Sequence, residues 1–423
     1  MMKKIKVVWV CHLSNPQIRQ HLKFFKWSPL AIVLRIAGKG SHYDFALWNT
    51  NAIQEFEKFD DIELHIVAPH YGIDGVQQFE MNGINYHFFQ SEDDNLLSLL
   101  QSRLLHKLKK SYPRNTKTIL HLIDQIKPDI IHYIGAENPY YSESALSMPD
   151  GVPLMVSLQT LMCDPEFFKN YPISNEEYEY RKNVEVAIIK KVDYVASKVM
   201  PFREIIQRTI GDVKFLDMTL AVGETINDSY GIPKQYDFVY FAISISKAID
   251  YALEAFARAK RKHKDITLHV VGGYSNDLMS CISGQMKVLG IEDGVDFTGK
   301  LPTHDDVINE IRKCRYALLP LKIDLLSGTI RESMANGLPV ITTITPATPI
   351  WNEKRQCLLL SEKGDFDAMA DNICRLLEDP NLADVLRANA FLTIQEKYSN
   401  KGFMEIWRKN YFEIYKKWKE IED

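Results

Sequence analysis

The sequence predicts an α/β protein of two doubly wound, parallel-sheet domains. Three observations lead there. The chain has 423 residues, too many for one ordinary domain. Short apolar runs recur every few tens of residues, and most are continuous rather than alternating, as in strands buried on both faces of a parallel sheet. Helical patterns lie between them, and alternation of strand and helix is the doubly wound signature.

In the first half the expected strands are 5–10, 63–68, 130–134, 154–158, 192–196 and 213–216. Turn-formers then crowd 222–236, with Gly223, Asn227, Asp228, Ser229, Gly231 and Pro233, and apolar periodicity lapses. This stretch is read as a hinge. Beyond it the expected strands are 238–241, 267–271, 295–297, 316–319, 340–343 and 358–360, with helices over 249–261, 307–312, 366–377 and 383–397. Each side then has about six strands, as a Rossmann-like domain needs. The boundaries read as 1–222 and 223–401. The tail 402–423 forms a helix with Phe403, Trp407, Tyr411, Ile414, Tyr415 and Trp418 on one face, packed on a domain surface.

Composition narrows the function. Charged residues make up 25% of the chain and the formal net charge is −4, so no global basic field draws it to nucleic acid. Cys11, Cys163, Cys281, Cys314, Cys357 and Cys374 are scattered without ligand spacing. They read as reduced core thiols in a reducing compartment, and no zinc site is expected. The apolar run after Met1 is too short for an export signal, and no stretch approaches the roughly 20 apolar residues of a membrane span. The expected location is the cytoplasm.

The most informative segment runs from Tyr316 to Thr343 and reads as strand, loop, short helix, turn, strand. Ser327-Gly328-Thr329 opens the helix, Gly337 ends it and Pro339 leads into the next strand. A helix start of this kind offers backbone N–H groups, hydroxyls and a positive dipole end, all suited to a diphosphate. Asp324 and Glu332 flank it, eight positions apart, and a carboxylate accepts hydrogen bonds from both hydroxyls of a ribose. A competing reading exists for each acid. Thr329-x-x-Glu332 is a capping-box pattern, so Glu332 would only cap its own helix. Asp324 would be a solvated loop residue.

This D-x7-E segment, with its Met-Ala-Asn-Gly-Leu-Pro-Val ending, resembles the E-x7-E signature of retaining GT-B glycosyltransferases, family 4 (glycosyl transferases group 1). The resemblance implies that Glu332 binds the nucleotide ribose and Asp324 contacts the donor sugar. The amides around Ser327, Gly328 and Thr329 would hold the diphosphate. Residues 238–256 look like the family's G-R-x(n)-K-G segment, which makes Lys247 the phosphate-binding lysine. The arginine that normally precedes it is missing, with Ala242, Ile243 and Ser244 in that region. Gly272-Gly273 looks like the family's glycine pair near the donor, and 297–306 like the loop whose backbone meets the base, through Leu301.

The family's fold sets two Rossmann-like domains face to face across a cleft, with the last helix crossing back to the first domain. It implies a donor on 223–401, an acceptor on 1–222, retention of configuration and no metal. A nucleotide-sugar is the donor substrate and no separate cofactor is expected. The acceptor would be a saccharide or a lipid-linked saccharide, in cell-surface polysaccharide or glycolipid synthesis. Two rivals stand beside this reading. One is another enzyme on the scaffold, such as a nucleotide-sugar epimerase or a phosphorylase. The other is a non-catalytic nucleotide-sugar-binding partner subunit, favoured by the missing arginine.

The first half is less legible. Gln159 falls where many relatives of the family place a histidine; it could still hydrogen-bond a sugar but could not act as a general base. Glu137 follows the strand 130–134, at the carboxyl end where open α/β sheets bind ligands. It is a candidate to bind or deprotonate an acceptor hydroxyl. His132 alternates into the strand and reads as a core histidine. Two basic stretches, 19–39 and 103–117, read either as solvated helix faces or as surface for peripheral contact with anionic lipid at the inner membrane face.

Overall fold

A computed structural model describes residues 4–24, 44–92, 111–164, 173–197, 200–219, 221, 231–243, 247–322, 327–345 and 347–422. The chain forms two compact units. The first holds the described elements up to Ala221 and again from Asn400; the second holds those from there to Ser399.

The first unit is an eight-stranded sheet in the order β3-β4-β2-β1-β5-β6-β7-β8. Its strands are β1 (Ile5–Val10), β2 (Ile62–His70), β3 (Val76–Met81), β4 (Ile84–Gln90), β5 (Ile130–Ile134), β6 (Leu154–Ser157), β7 (Tyr194–Ala196) and β8 (Phe215–Leu216). All neighbours pair in parallel except β3 and β4. Every residue of β5 is buried, His132 included, as in a strand covered on both faces. Helices α1 (Pro16–His21), α2 (Leu47–Phe56), α3 (Pro113–Ile126), α4 (Pro139–Ser142), α5 (Asn175–Lys191) and α6 (Met200–Thr209) accompany it.

The hairpin β3-β4 was not expected from continuous apolar runs, because β3 alternates between exposed and half-buried residues. Its signal is the turn Asn82-Gly83. Both residues have positive φ, 51° and 77°, the geometry that Asn-Gly favours in a tight hairpin.

The second unit is a six-stranded parallel sheet in the order β11-β10-β9-β12-β13-β14. Its strands are β9 (Tyr236–Phe241), β10 (Leu268–Val271), β11 (Val295–Gly299), β12 (Cys314–Leu318), β13 (Val340–Thr343) and β14 (Leu358–Ser361). The helices are α7 (Ile249–Lys262), α8 (Asn276–Leu289), α9 (His304–Arg312), α10 (Gly328–Ala335), α11 (Phe366–Glu378) and α12 (Pro380–Thr393). The order corresponds to 3-2-1-4-5-6, so the chain reverses direction across the sheet between β9 and β12. Ligands of open α/β sheets bind outside the carboxyl ends of the strands at such a switch point. The loops after β9 and β12, which carry the segments around Lys247 and Ser327, are those that flank it.

The last helix, α13 (Asn400–Glu422), belongs to the first unit. Its aromatic face is its anchor. The Trp9 indole donates to the Tyr411 hydroxyl at 2.8 Å, and that hydroxyl lies 2.6 Å from His132 Nδ1. The Trp407 indole donates to the Thr219 carbonyl at 3.1 Å, and Arg408 pairs with Asp61 at 3.0 Å. His132 is fully buried with both ring nitrogens engaged, Nε2 by Ser157 Oγ at 2.7 Å. Burial lowers its pKa to about 3, so it is a neutral core histidine.

Candidate functional site

In the second unit, α10 is the centre of the site. The first hydrogen bond of this helix runs from Arg331 N to the Ser327 carbonyl at 3.2 Å, so the amides of Gly328, Thr329 and Ile330 precede the helical ladder. They are the N–H groups such a site would present to an anion. Ser327 and Thr329 are buried and their hydroxyls lie 2.9 Å apart. The far end closes as the sequence predicts. Gly337 has φ 70°, Gly337 N donates to Met334 O and Leu338 N donates to Ser333 O at 2.9 Å, a Schellman arrangement.

The capping reading of Glu332 is not met. The helix begins at Gly328 with Ser327 as N-cap, so Thr329 lies inside it and Thr329-x-x-Glu332 frames no cap. A true capping box occurs at Thr303 and Asp306, at the start of α9. The Glu332 side chain instead faces His304, with Nε2 3.0 Å from Oε1. Both are largely shielded, at 12% and 22% side-chain exposure. Asp324 lies outside the described residues, as do most of the two basic stretches.

Lys247 stands just ahead of α7. The buried Tyr240 donates its hydroxyl to the Lys247 carbonyl at 2.8 Å and so anchors that residue to β9. Ala248, directly after Lys247, has φ 54°, and Ala242 at the loop's start has φ 60°. Left-handed backbone at alanine costs about 1–2 kcal/mol, and such strain gathers at functional sites. Lys322, after β12, donates to Asp250 Oδ2 in the first turn of α7 at 2.7 Å, a link across the switch point.

The loops after β10 and β11 pack on one another. Gly272 N donates to Thr298 Oγ1 at 3.1 Å, and a Cβ on Gly273 would stand 3.1 Å from Lys300 Cβ. Gly272 has φ 123°, a backbone that only glycine adopts freely. Leu301 follows in the same loop, half-buried, and leads into His304. Thus Lys247, Gly272, Gly273, Leu301, Ser327, Gly328, Thr329 and Glu332 all follow carboxyl ends of one sheet.

Glu137 and Gln159 belong to the first unit, after β5 and β6, at the corresponding edge of the other sheet. Glu137 is 8% exposed, and its Oε2 has no hydrogen-bond partner among the described residues. Burial pushes its carboxyl up to about 7, into the range of a general base at neutral pH. Asn138 Nδ2 donates to Oε1 at 2.8 Å. Gly135, with φ 99°, makes room; a Cβ there would lie 2.9 Å from both Glu137 oxygens. Gln159 donates its amide to the Ile134 carbonyl at 3.0 Å, which leaves its own carbonyl to accept from a ligand.

Sequence reading missed two residues. Glu185 on α5 is fully buried and accepts from Met162 N and Cys163 N, each at 3.0 Å, so it shapes the loop after Gln159. Its signal is an acid inside the apolar stretch Val184–Ile189. His304 carried no signal, because its meaning depends on a contact across 28 positions. Among the described residues, one group has ligand atoms close enough for a metal: His263, Cys374 and Glu378, within 4.8 Å of one another. It sits at the opposite end of α7 from Lys247, about 20 Å along the helix.

Residues 237–379 match the family described as glycosyl transferases group 1. The second unit is therefore similar to a group 1 glycosyltransferase domain. The chain also resembles solved structures along most of its length. Sucrose-phosphate synthase from Thermosynechococcus elongatus matches with a TM-score of 0.69 and 14% identity, over 97% of this chain and 99% of that one. Anabaena HepE, in complex with UDP and glucose, matches with a TM-score of 0.63 and 13% identity, over 96% and 99%. TarM matches with a TM-score of 0.58 and 16% identity over 70% of this chain, which spans 58% of TarM's length. At such identities the likeness is one of fold: two Rossmann-like domains of the GT-B type. No curated protein matches the chain by sequence. Among the described residues, no helix is long and apolar enough to cross a membrane.

Proposed function

We propose that this glycosyltransferase moves a sugar from a nucleotide-sugar, a UDP-sugar in the first instance, to a saccharide or lipid-linked acceptor, with retention of configuration. One observation carries the donor assignment. The buried Glu332 lies in the first turns of a helix whose free amides open at the switch point of a group 1 domain. Glu332 takes the ribose hydroxyls, the α10 amides and Lys247 take the diphosphate, and Leu301 meets the base through its backbone. The choice of UDP is supported by the nucleotide in the HepE complex. Lys247 and the helix start neutralise charge as the diphosphate leaves, without a metal.

The acceptor is assigned to the first unit, where Glu137 is poised to accept a proton from a hydroxyl and Gln159 to orient a sugar. Asp324 contacts the donor sugar. The setting is cell-surface polysaccharide or glycolipid synthesis at the inner face of the membrane. The test is transfer from UDP-glucose and UDP-N-acetylglucosamine to oligosaccharide acceptors, with product anomers read by NMR. Asp324→Ala should cut turnover strongly while the melting profile holds; unchanged turnover removes that role. One observation favours a non-catalytic binding subunit instead, the run Ala-Ile-Ser-Ile-Ser at 242–246 where the family has an arginine. Nucleotide-sugar binding without any hydrolysis or transfer would decide for that reading.

A further inference from the structure

We infer that His304 is a positioning residue of the donor site: its imidazole holds the Glu332 carboxylate in the pose that receives the ribose, and so sets donor affinity. The inference rests on the reading of Glu332 as the ribose-binding acid. Nε2 of His304 lies 3.0 Å from Oε1 of Glu332, and both side chains are largely withdrawn from solvent. A glutamate has three side-chain torsions to order before a diol can bind it. A partner that fixes one oxygen in advance removes part of that cost, which is how preorganisation raises affinity. An ionised carboxylate has about four lone-pair sites, so one imidazole contact leaves enough for two hydroxyls.

The placement of His304 suits this work. It is the first residue of α9, and the capping of that helix is done by Thr303 and Asp306, at 3.2 Å and 3.1 Å. The imidazole is therefore not needed to start the helix. The loop 299–303, assigned to the base, ends at His304. One residue thus links the segment that meets the base to the acid that meets the ribose.

The test is calorimetric binding of UDP, ADP and GDP to the full chain, carried on with the tightest of the three. His304→Ala should weaken binding about tenfold, the scale of one close contact to a charged group. His304→Gln, which restores a donor of similar reach, should recover most of it. In a Glu332→Ala background, His304→Ala should change affinity less than twofold, because its effect passes through the carboxylate. Equal weakening in both backgrounds, or no recovery in His304→Gln, overturns the inference. Thermal melts of the variants separate this from damage to α9, which would lower the melting temperature in either background. If Glu332→Ala binds as the parent does, or none of the three nucleotides binds, the donor reading itself fails.

Discussion

Glu185→Gln in the first unit should convert a pH-dependent stability into a flatter one. The Glu185 carboxyl is fully buried and accepts two backbone N–H bonds, from Met162 and Cys163. Burial raises its pKa to about 8 and outweighs those two bonds, which act the other way. The folded state therefore binds a proton that the unfolded chain, titrating near 4.5, releases. Stability from this group is full below about pH 4.5 and is lost as pH rises through 8. Between pH 5.5 and pH 9 that loss is about 3 kcal/mol, from 1.36 kcal/mol per pKa unit. Gln resembles the protonated carboxyl in shape and does not titrate. Glu137, raised in the same direction to about 7, remains in both proteins and cancels to first order. Urea unfolding across this range should show the variant's stability relative to the parent rising by about 3 kcal/mol. A difference that stays constant with pH would refute the reasoning.

Three further outcomes are expected. Gly135→Ala places a Cβ 2.5 Å from the Tyr141 hydroxyl and forces an alanine to φ 99°; it should cost about 2–4 kcal/mol in thermal melts, and nucleotide binding, assigned to the other unit, should persist. Tyr411→Phe strands the Trp9 indole and His132 Nδ1 and should cost about 2–5 kcal/mol, whereas Tyr415→Phe on the same helix should stay within about 0.5 kcal/mol. Ala248→Gly relieves left-handed strain at φ 54° against the entropy glycine adds to the unfolded chain, so stability should hold or rise by about 1 kcal/mol; a loss beyond 1 kcal/mol means the alanine is not strained.

What could be read in advance follows physical lines. Strands buried on both faces are dominated by apolar and β-branched residues, so β1, β5 and β13 were legible to the residue. The edge hairpin was not, since β3 faces solvent along alternate positions and only Asn82-Gly83 betrays it. The extent of α10 was visible from Ser327-Gly328 and Gly337, because turn chemistry is local. The capping-box alternative for Glu332 had to wait for the structure, because a four-residue pattern does not say where a helix starts. Contacts between distant segments left no mark: His304 with Glu332, Glu185 with the loop after β6, Trp9 and His132 with Tyr411. Those pairings arise from strand order, and strand order is a property of the folded sheet.

In the proposed function the second unit uses Glu332 to bind a donor whose sugar is then transferred. The most direct measurement is release of nucleoside diphosphate from UDP-glucose, UDP-N-acetylglucosamine and GDP-mannose by the full chain, followed by mass spectrometry with and without oligosaccharide acceptors. The expected result is release from one of the donors that falls about a hundredfold in Glu332→Ala, as the loss of paired hydrogen bonds to a carboxylate implies. Release that is the same in Glu332→Ala and the parent, or no release from any donor, would contradict it.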